Sequence, residues 1–382
     1  MVFFQKHNFI LSALAAVASL ATSGAAFAQA TISGAFGMSW QQDPKFGAGG
    51  SHTQGLRVQD GEIYVSATED LGGGMSATAR GGLTIRGRGT AIADRDGTVT
   101  LTGPFGALTA GAVRSCGNLV TVQSGVVTGT RYSSNEDVNE LPLDKCSMVD
   151  VVALTMPVGP VMLTGTYGEF GSTVTYPVAA AANTGTATAT ATSGAGNTTG
   201  VTFTDVQGVY KAGPLMVGAN ITMFGAVGAL KVIDNSVRSR FFGSYDAGFA
   251  KLGAGYQTKT GGAADQYVAS VAVPMGNTTL GLDYTARAAQ GQFEGSTAGA
   301  AAAWLLSSAR DGDKASASLG VGMTYSFSKT TTVNASYITY TDAGANGKFA
   351  KGTDASALGT NTLGTTAAIL DTEYRIRLMK TF

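Results

Sequence analysis

Arg375 and Arg377 stand at alternate positions within the closing stretch Tyr374–Phe382 of this chain. In an extended segment successive side chains point to opposite faces. The two guanidinium groups therefore share one side, while Tyr374, Ile376, Leu378 and Phe382 share the other. The same alternation gathers Arg80, Arg86 and Arg88 on one face of residues 75–88, and Arg238 and Arg240 are again two apart. Fixed cations arrayed in this way attract and orient anions without making or breaking bonds. A second group, Glu136, Asp137, Glu140 and Asp144, concentrates carboxylates in one short stretch. Such a group can hold Ca²⁺, remain solvated, or face a basic wall.

Bond-making chemistry finds no comparable set. The two histidines are His7 and His52, and no clustered Cys/His spacing accompanies them, which argues against a zinc site or a His-based hydrolase. Closely spaced glycines such as Gly34 and Gly37 are expected by chance in a chain with 54 of them, and no Gly-Lys-Ser/Thr follows. A phosphate loop has no support. No enzyme, cofactor or metal site is expected.

The elements that must position these charges are strands. In residues 75–88, Met75, Ala77, Ala79, Leu83 and Ile85 share the apolar face, with Ser76, Thr78 and Thr84 among the arginines opposite. Leu215, Val217, Ala219 and Ile221 oppose Asn220 and Thr222; Leu252, Ala254 and Tyr256 oppose Lys251, Gln257 and Lys259; Leu282, Tyr284 and Ala286 oppose Asp283, Thr285 and Arg287. A period of two held over eight to twelve residues marks a strand long enough to cross a membrane at a tilt. Segments of this kind predict strands near 31–41, 57–69, 75–88, 95–103, 106–114, 147–157, 160–170, 201–212, 214–226, 237–248, 250–260, 264–274, 277–289, 314–328, 331–342 and 370–382. These are sixteen strands, an even number, as a closed antiparallel barrel with both termini at one end requires.

The connections fall into two classes. Tight turns carry Gly or Pro, as in Asp70-Leu71-Gly72-Gly73-Gly74, Pro104-Phe105-Gly106, Val158-Gly159, Ala212-Gly213-Pro214 and Met275-Gly276-Asn277, with Ser328-Lys329-Thr330 beside them. Long connections cover roughly 42–56, 115–146, 171–200, 290–313 and 343–369. Short turns on one rim and long loops on the other form an outer-membrane pattern. The stretch Ala179–Gly200 is nearly all Ala, Thr, Gly, Ser and Asn, lacks side chains to pack, and is expected to be a mobile loop.

Composition and the N-terminus agree with this reading. Lys6 and His7 precede an apolar run from Phe9 to about Leu20 and then Ala26-Phe27-Ala28, the order of a secretion signal with cleavage after Ala28. The apolar run is short for a membrane anchor of about 20 residues. Only 13% of residues are charged, against roughly 25% in ordinary soluble domains, and no later window is apolar for long enough to be a membrane helix. The 25 basic and 25 acidic residues cancel, and loss of Lys6 with the signal leaves 24 against 25. That balance points to no nucleic-acid partner. Cys116 and Cys146 lie in an exported chain, where a disulfide is chemically permitted.

Three stretches together resemble a known family. Thr68-Glu69-Asp70-Leu71-Gly72-Gly73-Gly74-Met75, Gly103-Pro104-Phe105-Gly106-Ala107-Leu108-Thr109-Ala110-Gly111 and the ending Tyr374–Phe382 are similar, in this order and spacing, to the trimeric Gram-negative general porins. The branch they resemble has sixteen strands and prefers anions, and the resemblance covers essentially the whole mature chain. Lys380 departs from the family's apolar tendency at an outward position, although a lysine at the membrane rim can extend to water. The stretch after Val113-Arg114-Ser115 also departs, above all in its two cysteines.

The resemblance implies an all-β, transmembrane antiparallel barrel over 29–382 after removal of signal peptide 1–28. It implies a Gram-negative outer-membrane location among lipid and lipopolysaccharide, a homotrimer, and an ending at Phe382 that the outer-membrane assembly machinery reads. It also implies a third loop, about 115–146, folded into the barrel to form a constriction that presents Glu136, Asp137, Glu140 and Asp144. A Cys116–Cys146 disulfide would close about thirty residues at its base, worth roughly 3–4 kcal/mol in the chain-entropy model. Parity sends Arg80, Arg86, Arg88, Arg238, Arg240, Lys251, Lys259, Arg287, Arg375 and Arg377 to the lumen, against the acids Glu62, Asp246, Asp283 and Glu373. Arg114 shares the outward parity of Leu108 and Ala112, but its place at the foot of the loop makes it a further pore-lining candidate. Arg88, Lys259 and Arg377 could instead sit at headgroup level and meet lipopolysaccharide phosphates. Tyr256, Tyr284, Tyr374 and Phe382 would form interfacial girdles. The implied function is passive diffusion of small hydrophilic solutes with a mild anion preference; the alternatives are a substrate-specific anion channel and, from another class, an adhesin or barrel enzyme.

Overall fold

The computed structural model of the chain describes residues 29–42, 54–85, 93–115, 118–127, 147–169, 174–177, 188–191, 201–226, 235–260, 265–288, 316–341 and 372–382. The first half of its barrel is β1 (Gln29–Gln42), β2 (Gln54–Gly72), β3 (Met75–Thr84), β4 (Ala93–Gly103), β5 (Gly106–Ser115), β6 (Ser147–Val158) and β7 (Val161–Glu169). A small hairpin follows, β8 (Val174–Pro177) and β9 (Thr188–Ala191). The barrel resumes with β10 (Val201–Ala212), β11 (Leu215–Ala226), β12 (Val237–Asp246), β13 (Lys251–Lys259), β14 (Gln266–Met275) and β15 (Thr278–Arg287). It ends with β16 (Ser316–Ser328), β17 (Thr331–Thr341) and β18 (Thr372–Thr381).

Every strand expected from alternation has its counterpart, and together they close one antiparallel barrel of 16 strands. Two elements escaped alternation. A 3₁₀ turn, Asn118–Val122, follows β5, and β8 pairs with β9 as a separate two-stranded sheet. Within the stretch 179–200, expected to be a mobile loop, Thr188–Ala191 forms a strand, a polar Thr/Ala segment satisfying its backbone groups by pairing with a neighbour.

Closure joins the two ends of the chain. β1 pairs with β18 from Ala35↔Thr381 to Gln42↔Tyr374. Beyond that register, Gly34 N donates to Phe382 O at 3.0 Å and Phe382 N to Gly34 O at 3.1 Å. No barrel edge remains to pair with other chains. The short turns lie on one rim, and their sharpest corners demand glycine: φ is +54° at Gly213 and +62° at Gly276, values that a Cβ disfavours. With strands about 4.8 Å apart and tilted about 40°, sixteen of them place the backbone on a cylinder of about 16 Å radius.

The faces are inverted relative to a soluble sheet. Along β1, Ile32, Phe36, Met38 and Trp40 are exposed on the outside, while Ala35, Ser39 and Gln41 are buried inside. Large apolar side chains cover the outer face on strand after strand, among them Val206, Ile221, Leu252, Val321, Ile376 and Leu378. This arrangement is stable only where the outer solvent is itself apolar. Aromatic pairs border the band at both rims. Trp40–Tyr374 and Tyr256–Tyr267, with centroids 5.0 and 5.1 Å apart, lie toward the loop rim, and Phe36–Phe382 and Tyr325–Phe327, 6.1 and 5.0 Å apart, toward the turn rim. Lys380 faces outward at the turn rim and its Nζ donates to Thr330 Oγ1, the rim position at which a lysine keeps its charge wet.

Candidate functional site

A barrel of this radius leaves a wide interior, and the residues following β5 occupy part of it. Residues 118–127 run along the inner wall from β12 to β17. At the near end, Leu119 and Val122 bury their side chains against Phe242 of β12 and Val268 of β14. At the far end, Val127 packs on Ile338 of β17. An irregular segment in such a place must find partners for its backbone groups, and the wall supplies them. Ser270 Oγ donates to Val122 O. Asp283 accepts twice, from Ser124 N and from Ser124 Oγ, both at 2.7 Å. Asn334 Nδ2 donates to Val126 O at 2.6 Å.

Glycines make this approach possible. A Cβ added to Gly255 would lie 2.6 Å from Leu119 Cδ2, one on Gly281 2.5 Å from Val126 Cβ, and one on Gly322 3.0 Å from Val126 O. At Gly253 and Gly320 it would run into Val122 O and Val127 Cγ1 more closely still. These residues lie at inward register positions, since Gly253 pairs with Ser270, Gly281 with Gly322 and Gly320 with Asp283. The segment lies where side chains would otherwise stand.

The wall formed by β18, β1, β2 and β3 is built differently. Arg375 and Arg377 project inward between Gln41 and Ser39 on one side and Ser336 and Asn334 on the other, and each is only 1% exposed. Glu62 and Tyr64 face inward on β2, with Tyr64 Oη donating to Glu62 Oε2 at 3.3 Å. Arg80 on β3 lies across the Tyr64 ring, its Cζ 3.9 Å from the ring centroid, a favourable cation–π geometry. Arg80 is exposed to the interior.

The other basic positions divide as follows. Arg238 and Arg240 face inward on β12; Arg238 Nη2 donates to Thr222 Oγ1 at 3.4 Å with its Cζ 5.2 Å from the Phe224 ring centroid, and Arg240 Nε donates to Gln257 Oε1. Lys251 opens β13 at an inward register position opposite Asp246. Lys259 pairs with Arg238, and Arg287 with Gln266, in the same inward rows. The backbone of Arg114 pairs with that of Met148, in the same row as Leu108. Arg86, Arg88, Glu136, Asp137, Glu140, Asp144, Cys116 and Cys146 lie outside the described residues.

Sequence reasoning missed three groups. Asp205 joins the acids of the interior, accepting from Asn220 Nδ2 at 2.6 Å and from Thr222 Oγ1. Phe203, Phe224 and Phe242 are buried inward, whereas alternation alone suggested apolar side chains outside. Two of them fill the space over a glycine directly opposite, Phe203 over Gly168 and Phe242 over Gly218. The docking glycines were the third group. Their sequence signal, Gly at alternate inward positions as in Gly253-x-Gly255 and Gly320-x-Gly322, is present but diluted by the glycine content of the whole chain.

A family model described as Gram-negative porin matches residues 13–346. The chain belongs to the Gram-negative porin family. No curated protein matches it. Among solved structures, this porin is similar to the anion-selective porin from Comamonas acidovorans, with a TM-score of 0.57 and 17% identity, covering 93% of this chain and 100% of that one. A double mutant of Rh. blastica porin gives 0.56 and 12% over 93% and 100% of the two chains. A loop-deletion mutant of OmpT, an outer-membrane protein of Vibrio cholerae, gives 0.52 and 13% over 93% and 99%. At these identities the likeness to solved structures is one of fold. Membership of the family makes this porin an outer-membrane channel for passive diffusion rather than an enzyme. Its chemistry is accordingly that of an aqueous path, in which radius and lining charge decide what passes.

Proposed function

We propose that this porin favours small anions, passing them between a wall occupied by residues 118–127 and a wall that presents fixed positive charge. The observation that carries the reading is the inward pair Arg375 and Arg377, set on β18 beside the β17 strand on which the docked segment ends. Arg80, Arg238, Arg240 and Lys251 add charge of the same sign around the interior, and a low-dielectric barrel concentrates the resulting field. The similar porin from Comamonas acidovorans is anion-selective, which agrees with this reading. The constriction loop extends over about 115–146 in the proposal, with Glu136, Asp137, Glu140 and Asp144 facing the arginines and a Cys116–Cys146 disulfide holding its base. The other parts of the proposal are a signal peptide over 1–28, a homotrimer, contact with lipopolysaccharide, and recognition of Phe382 by the outer-membrane assembly machinery.

Planar-bilayer recording in a KCl gradient tests the selectivity. The reversal potential is expected to have the sign of chloride preference, and the preference to weaken as salt rises and screening shortens the reach of the arginines. A reversal potential of cation sign overturns the reading. Current that rises linearly with salt is expected of a general pore, whereas saturation by one anionic solute would identify a substrate-specific channel.

A further inference from the structure

We infer that the inward glycines of β13, β15 and β16 set the calibre of this pore. They do so by fixing how close residues 118–127 lie to the wall. This deepens the constriction proposed above and rests on it. A segment crossing six strands on ordinary inward side chains would be held off the sheet by at least a Cβ and its substituents. Here its atoms descend to the level those side chains would occupy. The five contacts at Gly253, Gly255, Gly281, Gly320 and Gly322 fall on Leu119, Val122, Val126 and Val127, so the fit follows the segment residue by residue. Hydrogen bonds from Ser270, Asp283 and Asn334 hold it at that depth. The glycines are neither turn formers nor hinges: none of the five has a positive φ. Missing volume, rather than backbone freedom, is the property this wall uses. Outward glycines lack that role; a Cβ at Gly165 would meet nothing within 4 Å.

The contact between Gly320 and Val127 Cγ1 offers a size-swap test. Gly320→Ala adds a methyl beneath Val127 and lifts the segment toward the lumen. Unitary conductance in planar bilayers is expected to fall by roughly a quarter, with heat-modifiable mobility retained. Val127→Ala removes the opposing methyls, and the double variant Gly320→Ala/Val127→Ala is expected to return conductance to the wild-type value. Gly165→Ala, on the outer face, is expected to leave it unchanged. A Gly320→Ala porin of wild-type conductance overturns the inference, as does a double variant no closer to wild type than the single one. Should Gly320→Ala fail to insert, Val127→Ala alone decides: a rise in conductance supports the inference and an unchanged value overturns it. Absence of channels from the folded wild-type protein would instead sink the pore reading itself, so the two failures are distinct.

Discussion

The inner faces of β13–β17 and of β18–β3 belong to one sheet, obey the same alternation and look into the same interior, yet their inward residues have opposite character. On β13–β16 the inward rows contain Gly253, Gly255, Gly281, Gly320 and Gly322, interrupted by single polar residues such as Ser270 and Asp283. On the other side they carry Gln41, Glu62, Tyr64, Arg80, Arg375 and Arg377. One wall meets protein and has given up side-chain volume so that a segment can lie on it, and Ser270 and Asp283 complete hydrogen bonds to that segment. The neighbouring wall carries full charges at Glu62, Arg80, Arg375 and Arg377, whose effect on a solute depends on distance and salt. An inward position therefore has no single chemistry in this barrel: what it faces decides which side chain is useful there.

Removing the acceptor of the docking wall should break the contrast most strongly. Asp283→Ala leaves the Ser124 N–H and hydroxyl without their partner, and unsatisfied buried groups cost about 1–3 kcal/mol each. Residues 118–127 are then expected to detach, seen as larger unitary conductance, greater open-channel noise and faster amide exchange in the segment. Wild-type noise and exchange would mean that Asp283 does not hold it.

Neutralising the charged wall sharpens the contrast from the other side. Arg375→Ala with Arg377→Ala is expected to lower the anion-to-cation permeability ratio about two- to threefold near 0.1 M salt, the order expected for two charges about 10 Å from the path after screening. The reversal potential in a KCl gradient reads this directly; an unchanged value would remove the pair from the path. The smallest expected change belongs to Arg80→Ala, which deletes one charge and its contact with Tyr64, for a decrease of about 1.5-fold in the same ratio. Its effect should fade faster with added salt than that of the buried pair, because Arg80 is exposed.

Much of the architecture was legible in the residues. Alternation located all sixteen barrel strands, since a strand between lipid and water must change polarity at every residue and that constraint is local. It also sent Arg375 and Arg377 inward and Ile376 and Leu378 outward, as the β17–β18 register requires. The inward aromatics were less accessible. Phe241 and Phe242 are adjacent and chemically identical; parity with Arg238 and Arg240 turns Phe242 inward, and the opposing Gly218 gives its ring room.

By itself, then, the sequence determined the class of the protein, its strand count, its two rims and the face taken by nearly every wall residue, all consequences of a two-residue period and of turn chemistry. Tertiary structure alone decided where residues 118–127 come to rest. Ser124 meets Asp283 across 159 positions and Val126 meets Asn334 across 208, and no local pattern links partners so far apart. The glycines that receive the segment are individually indistinguishable from the chain's many others. They acquire a role only once closure of the barrel brings a particular stretch of backbone against them.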